Sequence, residues 1–239
     1  MKSLKLFLLA VIISSVSLTG CIMDGIHGSG DSVTTKYDFK DFTSVAVGYG
    51  CETVIEKGDS YSVEVVVNEN LKEYLDVYQK GDEIVIRMKG MRSYSSLNLK
   101  AIITMPEIKS LSLSGGSRVN LKGEFTTASN IDLALSGGSE LYGHLKGNNA
   151  DMALSGGSRL KLSGGADKLE ADASGGSYLD LAGFSVKSCL IGASGGSEFK
   201  VDVSDRLSVS ASGGSVIRYK GDPKLGDISL SGGSEVKRM

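Results

Sequence analysis

The chain has 239 residues, 41% of them hydrophobic, with 32 Gly, 2 Pro, no Trp and a formal net charge of −2. Without a basic surplus or a basic patch to neutralise phosphates, nucleic acid is excluded as a partner. Abundant glycine unaccompanied by proline excludes a collagen-like fibre, and glycine that recurs in register points to repeated turns rather than to disorder.

In chain order, Lys2 and Lys5 give a basic start, and Leu6 to Val16 form an apolar stretch too short to cross a bilayer. This pattern predicts a secretory signal over 1–20. It ends in Leu18-Thr19-Gly20-Cys21, which resembles the lipobox of bacterial lipoproteins, where the cysteine is acylated and becomes the first mature residue. Cys21 is therefore the expected lipidation site, and the expected partner is a membrane held through that anchor, in the cell envelope and most simply the outer membrane. Each buried methylene contributes about 0.8 kcal/mol, so two or three acyl chains anchor firmly. The bland alternative is an ordinary signal with an incidental cysteine. Residues 21–36 carry Gly25, Gly28 and Gly30 without periodicity and predict a flexible tether.

From Tyr37 the texture changes. Val45, Val47, Thr53 and Ile55, then Val63, Val65 and Val67, then Ile84 and Ile86, alternate with mostly polar residues. Lys57-Gly58-Asp59 and Lys80-Gly81-Asp82 separate these runs. Period two with glycine turns predicts hairpin-like or coil-like strands over 37–110, continuous with the region from 111 onward.

Seven copies of Ser-Gly-Gly-Ser then begin at Ser114, Ser136, Ser155, Ser174, Ser194, Ser212 and Ser231, spaced 22, 19, 19, 20, 18 and 19 residues apart. Two residues after each copy stand Val119, Leu141, Leu160, Leu179, Phe199, Ile217 and Val236, all apolar. The residue before each copy is Leu or Ala, and apolar residues recur two further back. Both flanks thus alternate with period two, the pattern of strands with one buried face. Units this short cannot bury an apolar face alone and must stack, so 111–239 is expected to be an all-β solenoid with coils of about 19–20 residues. At about 4.8 Å per coil, seven coils make a rod roughly 30 to 35 Å long. The register also aligns Arg118, Glu140 and Arg159 on successive coils, and Lys161, Asp180 and Lys200, so that opposite charges alternate along the ladder.

Phe42-Thr43-Ser44-Val45, Gly48 to Gly58, Tyr61-Ser62-Val63-Glu64-Val65, Asn70-Leu71, the run Glu83 to Met88 and Ile103-Thr104-Met105-Pro106-Glu107 resemble the head GIN domain family of auto-transporter adhesins. The resemblance continues through the repeats and covers nearly all of 37–239, with Gly50-Cys51-Glu52 where the name-giving Gly-Ile-Asn would stand. It implies a right-handed parallel β-helix in an envelope lipoprotein, and carries no catalytic residues.

Candidate sites are few. Asp132, Asp151 and Glu170 lie four residues before successive tetrapeptides, as Asp227 does before the last. Carboxylates one strand spacing apart repel, which a weakly held divalent cation would relieve; the bland alternative, which is favoured, is a solvated acidic stripe. The tetrapeptide lacks the lysine and the following helix of a phosphate cradle, and its serines are expected to bond neighbouring backbone. A carbohydrate-active β-helix enzyme needs paired carboxylates or a base beside calcium, with aromatic platforms. Asp132, Asp151, Glu170 and Asp172 are its only candidates, Tyr142 and Tyr178 stand alone, and His27 and His144 fall in tether and turn. The expectation is therefore a non-catalytic structural and recognition module without cofactor or metal, contacting a glycan or protein through a solenoid face. A polysaccharide lyase or hydrolase is the alternative. Cys51 and Cys189 are expected to be inward-facing and unpaired, about 20 Å or more apart if sequence order is stacking order.

Overall fold

The computed structural model describes residues 25–90 and 92–239; the signal segment and Cys21 lie outside them. The strands are β1 (Ile26–His27), β2 (Ser32–Tyr37), β3 (Ser44–Val47), β4 (Glu52–Lys57), β5 (Ser62–Asn68), β6 (Leu75–Lys80) and β7 (Glu83–Met88). After these come β8 (Tyr94–Ser95), β9 (Lys100–Met105), β10 (Ser110–Leu113), β11 (Arg118–Thr126), β12 (Ile131–Leu135), β13 (Glu140–Lys146) and β14 (Asn149–Leu154). The last are β15 (Arg159–Ala173), β16 (Tyr178–Ala193), β17 (Glu198–Ala211), β18 (Val216–Lys220), β19 (Lys224–Leu230) and β20 (Glu235–Arg238). One short 3-10 helix, Glu69–Tyr74, buries Leu71.

These strands wind into an all-β solenoid with parallel bridges about 20 residues apart. The register follows the tetrapeptide alignment: Val119 pairs with Leu141, Leu141 with Leu160, Leu160 with Leu179 and Leu179 with Phe199. All five are fully buried. A slip of one residue would turn every one of them to solvent, which is why the apolar alternation fixes the pairing.

Six of the seven Ser-Gly-Gly-Ser corners are closed by their own serine. The last serine of the tetrapeptide is buried, and its hydroxyl donates to the carbonyl of the first at 2.7–2.9 Å in Ser117, Ser139, Ser158, Ser177, Ser197 and Ser215. A hydroxyl buried without a partner would cost about 1–3 kcal/mol, so these bonds are what let a polar side chain face the core. The glycine pair adopts two forms. In the first three copies both glycines have positive φ, for example 61° at Gly115 and 77° at Gly116. From Gly175 onward only the first does, and in the last three copies the second glycine's N–H reaches the coil beneath, as Gly196 to the Gly175 carbonyl at 2.8 Å. These are the requirements of I′-type and II′-type turns respectively.

The N-terminal region departs from sequence order. β3 lies between β7 and β10, and β4 between β9 and β11, all parallel, so residues 44–57 form the coil directly beneath the first Ser-Gly-Gly-Ser coil and 83–105 the one beyond. In this coil Gly48-Tyr49-Gly50-Cys51 takes the tetrapeptide's place. Outside the parallel stack, β6 pairs antiparallel with β7, β5 with β9, and β2 with β5, closing that end over Phe42 and Leu71, both fully buried.

The tether expectation, made for 21–36, needs correction over its described part, 25–36. Ile26–His27 pairs with Tyr94–Ser95, and Ser32–Tyr37 forms a ladder with β5. The physical reason is an edge: without β2, the hydrogen-bonding groups of β5 on that side would be open, and Val33 and Tyr37 would not pack on the core.

Cys51 and Cys189 are both buried and free. Their expected separation stands on a corrected order, five coils apart by the observed stacking, or about 24 Å at strand spacing.

Candidate binding face

The two long faces of the solenoid treat charge differently. On the face that follows the corner, Glu140 sits between Arg118 and Arg159 at 2.8 and 3.5 Å, Lys161 pairs with Asp180 at 3.6 Å, Lys220 with Asp202 at 3.2 Å, and Arg218 with Glu198. The Arg118 hydrogen bond holds the Glu140 carboxyl below its ordinary pKa. Lys200 instead lies over the Tyr178 ring, 5.4 Å from its centroid. Charge here is consumed in joining coils.

On the face that precedes the corner, Asp132, Asp151 and Glu170 stand in direct register on β12, β14 and β15, pointing outward, with Asp172 beside them. Among the described residues none of these four has a basic side chain within 4.0 Å. Leu190 and Ser208 continue the row, and Asp227 at its end meets Arg206 at 3.9 Å. The carboxylates line a shallow depression of about 480 Å³. Among the described residues no three His, Cys, Asp or Glu side chains converge as a metal cage would require. A straight row at strand spacing spreads its oxygens along the axis instead of around a centre.

Beside this row runs a groove of about 830 Å³. Its floor is made by the outward residues two before each corner, including Ala46, Ser112, Ala134, Ala153 and Gly192, from β7 to β17. Eight strands at about 4.8 Å make it about 34 Å long. Small side chains at this position in most coils create the channel, Val85 and Asp172 being the larger residues in the same row. At Gly192 even a methyl group would lie 2.0 Å from Asp172 Oδ1, so glycine there leaves the carboxylate room to lean across the floor.

At the capped end the groove meets aromatic residues. Tyr49 occupies the corner in a left-handed conformation, φ 60°, unusual for a bulky residue and a form of strain that concentrates at functional sites. Its hydroxyl donates to the Gly90 carbonyl at 2.9 Å, and its ring meets Tyr94 edge-on at 5.9 Å. Tyr74 lies 6.1 Å from Tyr94 and carries Arg92 over its face. Burial raises the Tyr94 phenol above its ordinary pKa, and its hydroxyl donates to the Lys89 carbonyl at 2.7 Å. Arg87, which also lines the groove, is held by Asp76 at 2.9 Å.

The aromatic cluster was not legible in the sequence. Tyr49, Tyr74 and Tyr94 come from a corner, a 3-10 helix and an isolated two-residue strand, and only the folded cap unites them. A tyrosine at a glycine position of an otherwise regular corner was the one available signal. By contrast His144 bonds Ser163 and His27 bonds Ser95, Tyr142 donates to Glu140, and none of them joins the acidic row.

Comparison with known proteins places the fold. A putative adhesin from Bacteroides fragilis superposes with a TM-score of 0.81 at 19% identity, covering 90% of this chain and 100% of that one. Structures described in the same words from Parabacteroides merdae and Parabacteroides distasonis give 0.65 and 0.64, each at 18% identity over 90% of this chain and 99% and 100% of theirs. At such identity they establish the shared fold. No curated protein matches the chain. Residues 41–223 match the family model described as "Putative auto-transporter adhesin, head GIN domain", and the chain belongs to that family.

Proposed function

We propose that the protein is a non-catalytic, adhesin-like recognition module of the cell envelope, anchored through an acylated Cys21, which binds an extended glycan along the groove. The observation that carries this reading is the asymmetry of the two faces. One spends its charges in ladders between coils, and the other leaves four carboxylates unpaired beside a long channel of mostly small residues that ends on Tyr49. Tyrosine rings offer apolar faces to sugar C–H groups, and free carboxylates accept hydrogen bonds from hydroxyl or amino groups. An acidic polymer would be repelled, so the fitting ligand is neutral or amino-bearing.

The test is binding of full-length protein to arrayed neutral, amino-bearing and acidic glycans, with Asp172→Asn, Tyr49→Ala and, on the opposite face, Lys161→Ala. The expected result is saturable binding to neutral or amino-bearing glycans, weakened about tenfold or more by the first two changes and unaffected by the third. Binding lost equally in all three, preference for acidic glycans, or release of shortened products would reject the reading.

A further inference from the structure

The two ends of the solenoid are built differently. The N-terminal end is sealed by β6, β5 and β2, and the large apolar residues beneath them are buried. At the other end β19 and β20 form a coil that no other described residue covers. Leu225, Ile228, Leu230 and Met239 there are 54%, 38%, 42% and 53% exposed. Among the described residues the other exposed large apolar side chains, Tyr49, Ile102 and Leu190, lie away from this coil. The polar chemistry of the end is also incomplete. Ser234 occupies the place of the buried corner serines, yet its hydroxyl is shielded without a hydrogen-bond partner.

We propose that this end is a two-fold self-association surface, on which a second copy of the chain lays its own last coil antiparallel to the first. The backbone fixes the register. Glu235 and Met239 donate their N–H groups to Ser215 and Tyr219 below, at 2.9 and 2.8 Å, so by alternation Val236 directs its N–H and C=O outward along the free edge. Ser231 likewise donates to Ala211 at 2.9 Å, which leaves Leu230 and Ile228 with outward groups. Antiparallel pairing of two such coils places Val236 opposite its counterpart as a hydrogen-bonded pair, and Ile228 opposite the other copy's Leu230.

The same register brings Glu235 of each copy opposite Lys237 of the other. Within one copy Lys237 stacks on Arg218, a like charge, and pairs with Glu235 two residues earlier on its own strand. The partner's Glu235 adds a second opposite charge across the edge. A second copy offering its capped end would not bring a matching cluster of exposed large apolar residues to cover Leu225 and Ile228, only Ile102 of β9. The like end does, and an isologous contact closes at two chains.

Ser229 falls on the two-fold axis of this arrangement, in a non-hydrogen-bonded pair whose α-carbon separation of about 4.5 Å suits a disulfide. Ser229→Cys in the full-length chain should therefore give a disulfide-linked dimer under mild oxidation, with no higher ladder. Ser210→Cys, on the equivalent outward position one coil below, should stay at the background set by the unaltered chain. Detergent-solubilised full-length protein should have the mass of two chains. Lys237→Glu should reduce it to one, and the added change Glu235→Lys should restore two, with the circular dichroism of the folded body unchanged throughout. A one-chain mass in the unaltered protein, equal crosslinking at Ser229→Cys and Ser210→Cys, oligomers beyond two, or failure of the charge exchange to restore the dimer would each overturn the proposal. None of these readouts measures glycan binding.

Discussion

Cys51 stands in its coil where Ser117 stands in the next. Its N–H bonds the Gly48 carbonyl at 3.3 Å as that of Ser117 bonds Ser114 at 3.3 Å, and its own carbonyl accepts the Arg118 N–H at 2.9 Å as that of Ser117 accepts Glu140 at 2.9 Å. Gly48-Tyr49-Gly50-Cys51 is thus an eighth corner built without the repeat's letters. Its thiol contacts the Thr53 hydroxyl at 3.4 Å instead of closing the turn as the serines do.

This position leads to a prediction about both thiols. Burial pushes Cys51 and Cys189 from an ordinary 9.0 up to about 12. The folded protein should react slowly with thiol reagents at neutral pH, and both thiols should titrate as free after denaturation without reductant. Between pH 9 and 12 the unfolded chain releases protons that the folded one keeps, so stability should be full below pH 9 and decline across that window. Cys189→Ala should flatten the decline measured by denaturant unfolding. A Cys51–Cys189 disulfide found by peptide mass spectrometry would contradict the stacking order.

The two glycines of a late corner should differ sharply in what they tolerate. A methyl group at Gly195 would lie 2.6 Å from the Gly175 carbonyl, on a residue with φ 72°. At Gly196 the nearest atom is 3.9 Å away and φ lies outside the left-handed region. Gly195→Ala should cost more than about 2 kcal/mol, or about 5 °C in unfolding temperature, and Gly196→Ala less than about 0.5 kcal/mol. Equal shifts would show that the glycine pair is not a II′-type turn.

Neighbouring residues on one strand separate core from surface. Leu160 is fully buried between Leu141 and Leu179, so Leu160→Asp strands a charge in the core and should cost several kcal/mol. Lys161→Asp breaks only a 3.6 Å surface pair with Asp180 and should cost about 1 kcal/mol or less. Thermal unfolding of both variants reads the difference, and similar shifts would mean that the register is wrong.

Membrane attachment is tested at the other end of the chain. Cys21→Ser should move the protein from the membrane to the soluble fraction and abolish incorporation of labelled palmitate, leaving the folded body unchanged by circular dichroism. A variant that still fractionates with membranes would remove the lipid anchor from the proposed function.

The solenoid, its register and its inward set are all legible in the order of the amino acids, because a period of two repeated at constant spacing permits one alignment, and a slip of one residue exposes every apolar side chain. The buried stack from Val119 through Phe199 and the Arg118–Glu140–Arg159 ladder are both readable in this way. Which coil rests on which is settled only when the chain folds. Residues 44–57 offer an apolar alternation as compatible with one neighbour as with another, and their actual neighbours, 83–105 and 110–126, are distant along the chain. The same holds for the tyrosine cluster, the groove and the uncovered last coil. Each depends on how separate segments meet, and local periodicity records the face a residue turns toward the core without recording what stands across from it.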